Sequence, residues 1–281
     1  MMRNSDFFKT FLAMVLLFTI SATALAQEKP KDLASAARDP TASLTAFAIR
    51  YDVTTSFHNL PDADQQQLVL QPIIPWKLGK QQHIARITLP YVTSGPDWGV
   101  IAEDAAAGLP PNYVPTAKQD GLADTAVVDV IISKTSWGRQ GIGGAIILPT
   151  ASDPALGSEK WSIGPAYVAI TKKGNFQGGF VAQWLFSVAG ESDRDDVNSL
   201  TIQPFGGFGF SGGWSLNTSE MVFNYNFETS KWTSLPLGLR VEKLIKIGNL
   251  PARLFVDVEH NFADNDVAPE NTIRFAFVPL L

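Results

Sequence analysis

The chain carries three histidines and no cysteine, so a serine hydrolase with a histidine base would have to use His58, His83 or His260. A Ser hydroxyl beside a His ring on a lipid-facing wall would supply a nucleophile and its base, which is what a membrane-embedded lipid hydrolase needs. Ser56 lies two residues before His58 and shares its strand face. Arg50 and Asp52 lie on that face too, which turns the pair toward a polar interior and makes a polar strand tip the plainer use. His83 has no nearby Ser, and Asp257 and Glu259 fall on the parity opposite His260. No His-x-x-x-His spacing offers a metal site. Without Cys, thiol nucleophiles, thiolate zinc sites and disulfide scaffolds are all excluded. The run Asp193 to Asp196 offers oxygen ligands for a divalent cation, but it reads first as a solvated loop, bridged through such ions to lipopolysaccharide phosphates. Gly141 to Gly144 and Gly206 to Gly209 lie in strand-like stretches and make room for curvature, not for phosphates. The expectation is no catalytic residue, no metal and no cofactor.

A second set of charges recurs at period two inside otherwise apolar stretches: Arg50, Asp52, Arg86, Asp129, Arg240, Glu242, Arg253, Asp257, Glu259 and Arg274, with Lys77, Gln71, Gln183 and Gln203 in the same phase. Residues two apart on a strand share a face. These ten charged side chains are the predicted lining of an enclosed lumen, with Arg240 and Glu242 beside Asp257 and Glu259 and then Arg274. Such a ladder either borders a water-filled path or knits the interior shut, because twelve strands lie between filled eight-strand and open sixteen-strand barrels.

The elements that must position these charges are long strands. Phe176, Phe180, Ala182, Trp184, Phe186 and Val188 alternate with Gln177, Gly179, Gln183 and Ser187; Leu254, Val256 and Val258 alternate with Arg253, Asp257, Glu259 and Asn261. The pattern predicts twelve strands, at 42–57, 65–78, 81–92, 121–133, 138–150, 159–171, 176–189, 197–210, 214–227, 231–246, 251–262 and 271–281, each beyond the five or six residues usual in soluble sheets. Short turns alternate with longer links at 58–64, 93–120, 151–158, 190–196 and 263–270. That segregation, with an even strand number, predicts an all-β antiparallel transmembrane β-barrel with short periplasmic turns and longer extracellular loops. The longer links hold nearly all the loop carboxylates, while the turns hold Lys80, Lys134, Lys172 and Lys173. Aromatics gather near both strand ends, Trp161, Phe186, Phe227 and Trp232 at one and Trp76, Trp137, Phe210 and Trp214 at the other, as in the two girdles of a membrane barrel. In-strand prolines, among them Pro72, Pro75, Pro90, Pro165 and Pro204, predict bulges or local unpairing. Trp214, Leu216 and Thr218 change phase to Met221, Phe223 and Tyr225, which predicts a bulge near Ser219.

Composition agrees. In 281 residues there are 22 Lys and Arg against 27 Asp and Glu, 45% hydrophobic residues and 11% aromatics, at a mean hydropathy of +0.05. A polytopic helical membrane protein would be far more apolar, and a disordered chain far less aromatic. A net charge of -5 argues against nucleic acid as a partner. Arg3 and Lys9 precede the apolar run Phe11 to Ile20 and the site Ala24-Leu25-Ala26, the layout of a cleaved signal peptide over 1–26 that places the mature start at Gln27. Residues 27–41 then form a periplasmic N-terminal segment and 42–281 the barrel.

The segments Gln71-Pro72-Ile73-Ile74-Pro75-Trp76-Lys77-Leu78, Leu148 to Asp153, Gly157-Ser158-Glu159-Lys160-Trp161-Ser162-Ile163-Gly164-Pro165, Val188 to Asn198 and Gln203-Pro204-Phe205 resemble a bacterial outer-membrane family described as transporters of the phenol-degradation MetA-pathway type, often mislabelled neuromedin U. The resemblance spans roughly residues 42–281. It implies a Gram-negative outer-membrane barrel and uptake of aromatic or other apolar compounds, and it carries over no binding residue. A terminal Leu281 departs from the terminal aromatic usual in such barrels. The function expected is passive transport of a small hydrophobic or aromatic solute by a monomer embedded in outer-membrane lipid and lipopolysaccharide. The alternatives are a structural or surface-interaction barrel with a plugged lumen, or a phospholipase-like enzyme. Loop 93–120, with Trp98, Leu109, Pro110, Pro111 and Tyr113, is expected to act at the lumen mouth.

Overall fold

The computed structural model describes residues 33–97, 101 and 118–281. The signal-peptide reading and the loop residues Trp98, Leu109 to Pro111 and Tyr113 lie outside the described residues. A single helical turn, α1 (Leu33–Ala37), precedes β1 (Ala46–His58), β2 (Gln65–Leu78), β3 (Gln81–Pro96), β4 (Lys118–Leu122), β5 (Thr125–Lys134), β6 (Arg139–Leu148), β7 (Lys160–Lys173), β8 (Phe176–Gly190), β9 (Asn198–Gly209), β10 (Trp214–Thr218), β11 (Phe223–Asn226), β12 (Lys231–Ser234), β13 (Pro236–Ile247), β14 (Leu250–Asn261) and β15 (Ala268–Pro279).

All strands form one antiparallel sheet that closes on itself. The ring runs β1, β2, β3, β5, β6, β7, β8, β9, β10, β13, β14, β15 and back to β1, the expected twelve staves. Three staves are each interrupted once, which yields the three additional strands. β4 continues β5 along β3, and the β11–β12 hairpin continues β10 and β13 along β9. Each interruption has a side chain where the ladder fails. Beside β4 and β5, Asp124 accepts hydrogen bonds from the backbone of Ala151 and Ser158. At the predicted phase change, Glu259 accepts from the Ser219 hydroxyl and the Met221 N–H, both at 2.9 Å, so the amide freed from the sheet keeps a partner.

The turns at Gly79, Gly174 and Gly248 place a glycine at φ 59°, the left-handed conformation that tight hairpins require. Around Pro72 and Pro165 the ladder loses its pairs without any shift of register, so these prolines cause local unpairing and no bulge.

Cross-strand partners share a face, and this divides every strand. Outward stand Ile142, Leu239, Val241, Val256, Val258 and Phe275, all exposed, as a lipid-facing wall requires. Rings mark both margins: Trp184 packs 6.0 Å from Phe227 and Tyr225 5.2 Å from Trp232 toward the loops, and Trp76, Trp137, Phe210 and Trp214 are exposed toward the turns. Inward, the lumen has two unlike sides. From β3 and β5 to β8 it is apolar, with Ile84, Val128, Val130, Ala145, Ala166 and Val168 packed together. From β13 through β15 to β1 it is charged. No described helix is long and apolar enough to cross a membrane, so any crossing is by strands.

The segment before β1 enters the turn end of the lumen. Ala37 packs with Ala46, Phe255, Ala276, Val278 and Leu280, Ser35 contacts Gln177 and Lys172, and Asp39 pairs with Arg139. Small side chains make this feasible: Leu33-Ala34-Ser35-Ala36-Ala37 is thin enough to lie inside a twelve-strand ring.

Candidate functional site in the barrel lumen

The charged side of the lumen is one connected network. Arg50 on β1 binds Asp52 at 2.7 Å and approaches Glu220 to 3.5 Å. Arg240 on β13 reaches Glu220 at 2.7 Å and Asp257 of β14 at 2.6 Å. Arg274 on β15 spans Asp257 at 3.2 Å, Glu259 at 2.7 Å and Asp52 at 3.8 Å. Arg253 holds Glu242 at 2.5 Å. The geometry follows from register, since Asp52 faces Arg274, Arg274 faces Asp257, and Asp257 faces Arg240 across successive strands. The Arg240 guanidinium also lies 3.8 Å over the inward ring of Phe255. Gln67 donates to Asp52 and Gln203 to Glu220.

Glu220 is the member that alternation alone misses. Counted on from Trp214 and Leu216, which point outward, it would face lipid. The break at Ser219 to Val222, with Met221 at φ 47°, resets the phase and delivers its carboxylate to Arg50 and Arg240. The phase change is visible in the sequence; its consequence for Glu220 follows only if the break is placed to the residue.

Asp129 requires the opposite correction. It pairs in register with Ala85, on the face of His83 and Ile131, and therefore stands on the outer wall, not in the lumen. Both faces of β5 are apolar, so Val127, Val128, Val130 and Ile131 provide no contrast from which its parity can be read. Outside, Asp129 accepts from the Trp76 indole at 2.8 Å and lies 2.7 Å from His83 Nδ1, with the Trp76 ring 4.2 Å from the imidazole. The other nine predicted side chains, Arg50, Asp52, Arg86, Arg240, Glu242, Arg253, Asp257, Glu259 and Arg274, sit on inward positions.

Among the described residues no serine hydroxyl is hydrogen-bonded to a histidine. His58 Nε2 lies 2.7 Å from the Asn261 carbonyl. Asn271 stands between Ser56 and His260, donating to the hydroxyl and meeting His260 Nδ1, each at 2.9 Å. Among the described residues no three His, Asp or Glu side chains are grouped to hold a metal. In the acidic loop Asp196 takes Lys160 at 3.1 Å and Ser187 at 3.0 Å, which holds its carboxyl below the usual carboxylate range. Arg194 donates to the carbonyls of Pro154 and Gly157. Both anchor the loop to its neighbours.

Between the charge network and the N-terminal segment lies a cavity of about 190 Å³. Gln71, Ile73, Arg86, Val181, Gln203, Phe205 and Glu220 are among its walls.

No family model matches the chain, and no curated protein matches it. Among solved structures it is similar to an outer membrane channel from Pseudomonas putida F1, at 15% identity and a TM-score of 0.55 over 85% of this chain and 96% of that one. Weaker likenesses are the KdgM porin in complex with oligogalacturonate, 11% identical with a TM-score of 0.43 over 83% and 97%, and outer membrane phospholipase A from Escherichia coli, 13% identical with a TM-score of 0.41 over 84% and 89%. The class is that of a closed antiparallel β-barrel with an apolar outer wall, the fold of the Pseudomonas putida channel.

Proposed function

We propose that the protein is an outer-membrane channel that passes small hydrophobic or aromatic compounds by diffusion. The observation that carries this reading is the two-sided lumen, with an apolar wall from Ile84 to Val168 facing the ladder from Arg50 to Arg274. A ring-bearing solute can lie against the apolar side while its polar substituents meet the fixed charges opposite. The signal-peptide layout and the resemblance to the MetA-pathway family support placement in the outer membrane, with lipid and lipopolysaccharide around a monomer. The hydrogen-bond pattern of Ser56 and the three histidines favours passage over lipid hydrolysis.

A second reading has its own observation: the segment around Ala37 occupies the turn end, so the barrel could be a plugged structural wall. Planar-bilayer recording and liposome uptake with phenols and aromatic acids separate the two. Conductance that a phenol or aromatic acid blocks supports the channel. No conductance, no block and no uptake across the panel leaves the plugged barrel.

A further inference from the structure

Of the inward arginines on the charged network, four share all of its carboxylates: Arg50, Arg240, Arg253 and Arg274 hold Asp52, Glu220, Glu242, Asp257 and Glu259. Arg86 is the exception. It faces the same cavity from β3, on the apolar side, and no hydrogen bond or ion pair to it exists among the described residues. Glu220 is near enough for its charge to be felt, but it is engaged by Arg50, Arg240 and Gln203. Gln71, the cavity's other nearby amide, donates to Thr88. A guanidinium presents five N–H donors in a planar fork and cannot discharge them by losing its proton. Half-buried and opening onto the cavity, those donors match an anion with two oxygens in one plane, the geometry of a carboxylate.

The walls around Arg86 define the rest of the ligand. Ile73, Val181 and Phe205 line the same space beside Gln71, Gln203 and Glu220, so what lies beyond the carboxylate has an apolar wall to pack against on one side. The volume of about 190 Å³ is below the roughly 300–1,000 Å³ of drug-sized sites, which limits the occupant to a single ring or a short chain.

We propose that Arg86 is the anchor of a binding site for small aromatic monocarboxylates within the lumen, the carboxylate on the guanidinium fork and the ring against Ile73, Val181 and Phe205. This rests on the reading of the barrel as a path for aromatic solutes and narrows it to acids.

Binding of benzoate and of its neutral isostere benzamide to the full chain in detergent micelles, followed by calorimetry, tests the site without any membrane to cross. The unaltered protein should bind benzoate at least about tenfold tighter than benzamide. Arg86→Gln should remove that preference by weakening benzoate alone, while Arg86→Lys, which keeps the charge but not the fork, should retain part of it. Heat-modifiable gel mobility reports whether each variant is folded. Equal affinity for the two ligands in the unaltered protein overturns the proposal whatever the variants do, as does unchanged benzoate binding in folded Arg86→Gln. Benzoate preference without conductance in bilayers would keep the site and discard the passage reading, so the two failures are distinguishable.

Discussion

Arg240 holds Glu220 at 2.7 Å across the break that separates β10 from β11. The same guanidinium binds Asp257 of the next strand, so one side chain ties the break in the irregular stave to β14. Replacing Glu220 by Gln should leave Arg50 and Arg240 each short of one charged acceptor, since both keep their other partner. A loss of about 1–3 kcal/mol is expected, read as a lower midpoint of the heat-induced mobility shift. Asp195→Asn, on the exposed acidic loop, is the control and should leave the midpoint unchanged.

Asp257 should cost more. Its side chain is fully enclosed and accepts from both Arg240 and Arg274. With Asn in its place two buried guanidinium groups lose their shared counter-charge, and about 3–5 kcal/mol is expected. A midpoint no lower than that of Glu220→Gln would mean that lumen water solvates the two arginines as well as the carboxylate does.

Much of this architecture was legible because the barrel is a strict period-two object with one apolar environment outside. Trp184, Phe186 and Val188, or Val256 and Val258, can only be outward if Gln183 and Asp257 are inward, and loop lengths then set the ends. Legibility failed where that contrast vanished. In β5 the lumen side is apolar as well, so Asp129 had no polar neighbour to fix its face. At Ser219 to Val222 the chain leaves the sheet, and period two says nothing about where Glu220 lands. The packing of α1 inside the ring could not be read at all, since Leu33 to Ala37 is short and has no period, and its place depends on the width of a lumen built by distant strands.

The outward cluster at the turn end makes its own prediction. Asp129 is the shared acceptor of the Trp76 indole and of His83, on the apolar outer wall. Asp129→Ala should strip both donors of their partner and lower stability by about 1–3 kcal/mol, with a shift in Trp76 emission as its indole is freed. An unchanged midpoint and an unchanged spectrum would mean that headgroup-level water replaces the carboxylate.

The acidic loop should respond to pH through Asp196. Its carboxyl is depressed by the Lys160 and Ser187 contacts, so the folded state holds the proton less readily than the unfolded one. The tether is thus fully present above the ordinary Asp range near 3.9 and is lost as pH falls through the lower, folded value. Loop 191–197 should resist an acid-active protease at pH 5 and become cleavable only well below pH 4. Asp196→Asn should be cleavable at both. Equal resistance of the unaltered protein at pH 5 and below pH 4 would show that Arg194, anchored on Pro154 and Gly157, holds the loop by itself.

Asp39 ties the N-terminal segment to the barrel wall at the turn end. Its carboxylate pairs with Arg139 and accepts from the Thr41 amide at 2.8 Å and the Thr41 hydroxyl at 2.6 Å, while Thr41 itself is almost wholly enclosed. Asp39→Ala removes all three contacts at once without touching the strands, and each is worth about 0.5–1.5 kcal/mol in such a setting. If the segment is the closure of the lumen, every 1.4 kcal/mol lost should raise the open population about tenfold, so bilayer recordings should show a marked gain in open time with the heat-shift midpoint of the barrel little altered. A lower midpoint with no gain in conductance would assign the segment to the barrel's core packing, and closure would then have to lie elsewhere along the lumen.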